Sequence, residues 1–77
     1  MERGTTHGSF EDNARIAQQF RKLCRTSSHW EAMPVEHREA LDNMATKFSR
    51  ILSGQSTFAD HWDDISGYAL LARKASQ

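Results

Sequence analysis

Helix-breaking residues are scarce in this chain. Its 77 residues include one proline, Pro34, and four glycines, so little interrupts a helical reading. The single cysteine, Cys24, cannot close an internal disulfide, and no Cys-x-x-Cys or Cys/His zinc spacing occurs. Cys24 reads instead as a small, half-buried helix residue. Charge of one sign is not in excess either. Ten basic residues offset ten acidic ones, which argues against a bulk electrostatic DNA binder, and no basic stripe is interleaved with aromatics. No apolar run approaches the ~18 residues of a membrane span. The polar N-terminus has no signal-peptide core, so the expected location is the cytoplasm. There is no glycine-rich phosphate loop, internal repeat or strand-like alternation. Ser9, Ser49 and Ser66 lack the His/Asp company of a catalytic nucleophile. Whether the chain catalyses anything is left open.

What is present is helical periodicity. The expected fold is all-α, a compact bundle of three main helices over about 9–25, 34–53 and 57–74, preceded by a flexible segment, 1–8. Ser9 to Asp12 resembles a capping box for the first helix. Its apolar stripe is Phe10, Ala14, Ala17, Phe20, Leu23 and Cys24, with Ile16 beside it. Trp30 and Met33 plug the following loop. Pro34 opens the second helix, where its missing N–H costs nothing, and Gly54 ends it in the left-handed conformation. Between them Leu41, Met44, Ala45, Phe48, Ile51 and Leu52 face the core. Thr57, with Asp60 three residues on, caps the third helix. Phe58, Trp62, Ile65, Ala69 and Ala72 form its stripe, with Leu70 beside it, while Tyr68 and Leu71 lie on another flank. So short a chain buries only about 60% of its unfolded surface. A second copy is therefore expected to cover what the thin core leaves open, a dimer being favoured.

The candidate site is acidic. Glu39 and Asp42 share one face of the second helix, and Asp60 and Asp64 share one face of the third. Carboxylates and water are what Mg²⁺ prefers, commonly with substrate phosphate completing the shell. The alternative is a solvated acidic face in which Asp60, Asp63 and Asp64 act on the helix dipole. Within one chain the two pairs need not meet, and a dimer could join them. Lys47 and Arg50, three residues apart, suit phosphate, or else ion pairs with Asp60 or Asp64 across the hairpin. Tyr68 lies four residues after Asp64, within hydrogen-bonding reach. Gly67 in mid-helix costs about 1 kcal/mol relative to alanine, so close approach of another helix or of a ligand is expected there. His61 has no partner at metal spacing and reads as an isolated polar residue.

Two blocks carry a resemblance, Lys47-Phe48-Ser49-Arg50-Ile51-Leu52-Ser53-Gly54 and Trp62-Asp63-Asp64-Ile65-Ser66-Gly67-Tyr68. Together with Thr6-His7-Gly8-Ser9-Phe10, Asn13-Ala14-Arg15-Ile16 and Arg38-Glu39-Ala40-Leu41, they resemble a family of small phage and prophage proteins without assigned function. More distantly, acids on one helix followed by Asp64, an apolar residue and Tyr68 on the next are similar to the MazG-like all-α nucleoside triphosphate pyrophosphohydrolases. That resemblance implies Mg²⁺ held by Glu39, Asp42 and Asp64, with Asp60 compensating for His61 where the family has glutamate. It also implies a nucleotide ligand whose phosphates Lys47 and Arg50 would meet. The phage resemblance implies instead an accessory protein that binds a host protein, for example to inhibit antiviral defence.

Overall fold

A computed structural model describes residues 10–77. The expected capping role of Ser9 and the segment 1–8 lie outside the described residues. The fold is an all-α bundle of three helices: α1 (Phe10–Arg25), α2 (Val35–Arg50) and α3 (Ala59–Ala75), with a 3₁₀ turn at Trp30–Ala32 and a π turn at Ile51–Gln55. The central helix is α2. Both neighbours pack against it, and α1 and α3 scarcely meet each other. This arrangement demands two inward faces from α2. Phe48 meets Phe20 of α1 edge to face at 5.3 Å. On the other side, His37 Nε2 donates to the Ala72 carbonyl at 2.9 Å, fastening the end of α3 to the start of α2.

Among the described residues the buried apolar side chains are few and mostly small: Ala17, Trp30, Ala40 and Ala45. Alanines let three helices approach closely, and Trp30 is the one large buried apolar side chain among the described residues. The plug expected in the first loop is therefore present, and the Arg25 guanidinium covers the Trp30 ring at 4.6 Å. Ser49 is also fully buried. Its hydroxyl is satisfied by Asn13 Oδ1 of α1 and by the Thr46 carbonyl, so polar burial here comes with partners.

The ends of the elements depart from expectation in small, explicable ways. Pro34 is the residue before α2 rather than its first, and its carbonyl accepts from the amides of His37 and Arg38. Helix α2 ends at Arg50. Beyond it the chain widens into the π turn and reverses at Gly54, whose φ of 111° is the positive-φ conformation expected there. Thr57 does not cap α3. That position falls to Phe58, with no side-chain cap, because the turn closes instead through the Phe58 amide on the Gln55 carbonyl.

The face of α3 also differs. Residues turned inward are His61, Ile65, Tyr68, Ala72 and Ala75. Phe58 and Trp62, expected in the core, are 53% and 52% exposed. Ile65 and Ala72 are common to the expected and observed faces, but the helix is rotated by about half a residue, because its apolar side chains are distributed around most of its circumference and periodicity does not select one face. Local bonds settle the choice: Trp62 Nε1 donates to the Ser56 carbonyl at 2.9 Å, outside the core, and His61 takes the inner place.

Candidate functional site

The seven candidate residues divide among three places. Lys47, Arg50, Asp60 and Asp64 gather where α2 ends and α3 begins, around His61. The hairpin brings them together: α3 runs back along α2, so the last turn of one meets the first turns of the other. Lys47 Nζ lies 2.9 Å from Asp64 Oδ2, one of the ion pairs the sequence allowed. Lys47 is largely covered and Asp64 about half exposed, so the pair is partly shielded from water.

His61 was missed as a member of this group. It is 4% exposed, packs edge to face on Phe58 at 5.0 Å, and donates from Nε2 to Gln55 Oε1 at 2.7 Å. That tautomer leaves Nδ1 as a buried acceptor with no partner among the described residues. Burial lowers its pKa below the ordinary 6.5, and Lys47 and Arg50 push the same way, outweighing Asp64 and Asp60. The ring is therefore neutral in the folded chain near pH 7. The signal for its burial was the spacing His61-Ile65-Tyr68-Ala72-Ala75, one helical stripe, masked by two polar members.

Asp42 belongs elsewhere. Arg25 of α1 holds it through two bonds, Nη1 to Oδ1 at 3.0 Å and Nη2 to Oδ2 at 2.8 Å. Arg21 donates to the Asp42 carbonyl at 2.9 Å and to Thr46 Oγ1 at 2.7 Å. The hydrogen bond from Arg25 is the main force lowering the Asp42 pKa below its ordinary 3.8. This fork-to-carboxylate geometry ties α1 to α2.

Glu39 and Tyr68 meet in a groove of about 480 Å³ between α2 and α3. Val35, Ala40 and Leu71 give it an apolar lining, and Glu36, Glu39 and Asn43 complete it. Glu39 is engaged only loosely by Asn43 Nδ2, at 3.5 Å. Asp64, Gly67 and Tyr68 also share a shallow depression of about 530 Å³ on the outer side of α3. The close approach of another helix or a ligand expected at Gly67 is not supplied by the described residues: none lies within 4 Å of where its Cβ would stand.

The four carboxylates proposed for Mg²⁺ are thus not assembled in one place. Among the described residues no group of three or more His, Cys, Asp or Glu side chains is positioned to hold a metal ion. Nor is any helix among them long and apolar enough to cross a membrane. Set against family models, characterised proteins and solved structures, the chain matches none.

Proposed function

We propose that this chain is a protein-interaction module, working as an accessory protein that occupies a partner rather than turning over a substrate. The α2–α3 groove carries this reading. Its lining is apolar, with Leu71 63% and Val35 65% exposed. The adjoining carboxylates Glu36 and Glu39 have no ion pair among the described residues. An apolar trough beside uncompensated acids fits one kind of occupant, an amphipathic helix of a partner protein with basic residues flanking its apolar side. The phage resemblance would make that partner a host protein.

The Mg²⁺–nucleotide reading is less well supported. It needs carboxylates to converge on one cation, whereas Asp42 is engaged by two arginines and Asp64 by Lys47. Glu39, Asp42, Asp60 and Asp64 would have to be drawn from more than one chain.

Selection of a random peptide library against the full chain tests the proposal. The expected winners carry Leu, Ile or Phe at helical spacing with Lys or Arg beside them. Leu71→Glu should weaken them by about tenfold or more, a loss of ~1.4 kcal/mol. Amide shifts on binding should map to Val35, Ala40 and Leu71. Peptides that ignore Leu71→Glu would overturn it. So would thermal stabilisation by Mg²⁺ with a nucleoside triphosphate that Asp64→Ala abolishes.

A further inference from the structure

Gly67 sits in the middle of α3, where glycine is among the poorest helix formers. No contact within the described chain accounts for it, since the space beyond its Cα is open. Its neighbours on the outer face do suggest a use. Asp63, Gly67, Leu70 and Lys74 are spaced by four, three and four residues, so they form one stripe along the helix. All four border the same shallow depression. Leu70 is 62% exposed, and neither Asp63 nor Lys74 has an ion pair among the described residues.

Read from either end, the stripe complements itself. Reversing its direction sets Asp63 against Lys74 and Gly67 against Leu70, a notch against a knob. A two-fold interface requires this property, because the same patch must serve on both sides. We propose that α3 packs antiparallel on α3 of a second copy of this chain, about a two-fold axis near Tyr68 and Ala69. Leu70 of each copy fills the notch left by Gly67 of the other. Asp63 of each copy pairs with Lys74 of the other, once at each end of the contact. Leu71, also exposed, widens the apolar shoulder beside the knob. Antiparallel alignment sets opposite helix-dipole ends together as well.

Sedimentation equilibrium of the full chain at low salt reads the outcome. The wild type should dimerise. Asp63→Lys and Lys74→Asp should each weaken dimerisation by about tenfold or more, because each puts like charges at both ends of the contact. Both positions are exposed, and circular dichroism should show both variants helical. An equimolar mixture of the two should associate again, since every contact between unlike copies then pairs opposite charges. Gly67→Leu should also abolish the dimer while leaving the helix intact. A wild type that stays monomeric to about millimolar concentration would overturn the proposal. So would a dimer indifferent to both charge changes, or a mixture that fails to associate.

Discussion

His61 is a buried imidazole, 4% exposed, that its surroundings keep neutral. Its burial holds the pKa below 6.5, while an unfolded chain would take up the proton near that ordinary value. Between the two values the unfolded state binds more protons, so stability falls as pH drops. The contribution is fully present above about pH 6.5 and is lost progressively below it. Asp42 has its own, lower window. With its pKa held below 3.8 by Arg25, its contribution is present above that value and disappears as pH falls through the folded pKa. Urea titrations from about pH 7.5 down to about pH 3 should therefore show two separate losses. His61→Leu should flatten the upper one and leave the lower. Asp42→Asn should remove the lower one and leave the upper. A single unchanged slope in both variants would contradict both assignments. Spacing alone suggests a metal ligand at Asp42, because it reveals which acids share a helix face but not which arginine a neighbouring helix brings to them. His61 looks isolated in the sequence for the same reason: Gln55 reaches it only through the turn at Gly54.

Among the elements, α1 and α2 were the more legible, and the reason lies in how their apolar residues are distributed. Ala17 and Phe20 do face inward, as do Ala45 and Phe48, whereas Phe10, Leu23 and Leu52, expected on the same stripes, are 83%, 64% and 68% exposed because they stand at the helix ends, beyond the cover of a neighbouring helix. In α3 the residues Phe58, Trp62, Ala69, Leu70 and Leu71 surround the helix, so the pattern could not choose a side. The two glycines that bracket this region have opposite roles, and alanine separates them. At Gly54 the φ of 111° disfavours any Cβ, so Gly54→Ala should destabilise the fold by roughly 1–2 kcal/mol. At Gly67 the helix is regular and the space open, so Gly67→Ala should raise the stability of the monomer by roughly 0.5–1 kcal/mol. Thermal melts at low protein concentration measure both. Equal effects of the same sign would mean that one of the two backbone assignments is wrong.

On the scale of the whole molecule, the question is how so small a core holds three helices. Ala17, Ala40 and Ala45 contribute little apolar area each, so Trp30, 5% exposed, is the largest buried apolar side chain among the described residues, at about 25 cal/mol per Å² buried. The total stability of a domain this size is on the order of 5 kcal/mol. Truncating a buried tryptophan typically removes about 3–5 kcal/mol. Trp30→Ala should therefore leave the chain close to its unfolding midpoint at room temperature, visible as a loss of most cooperative helical signal. Trp62→Ala removes a ring that is 52% exposed and should cost at most about 1 kcal/mol. The two tryptophans also divide the fluorescence. Trp62→Phe should retain the emission shift on unfolding, because Trp30 moves from a covered site under Arg25 into water. Trp30→Phe should lose most of it, because Trp62 is half exposed already. If truncating Trp62 proved the costlier change, the inward face of α3 would have to be the Phe58–Trp62 stripe after all, and His61 would return to the surface.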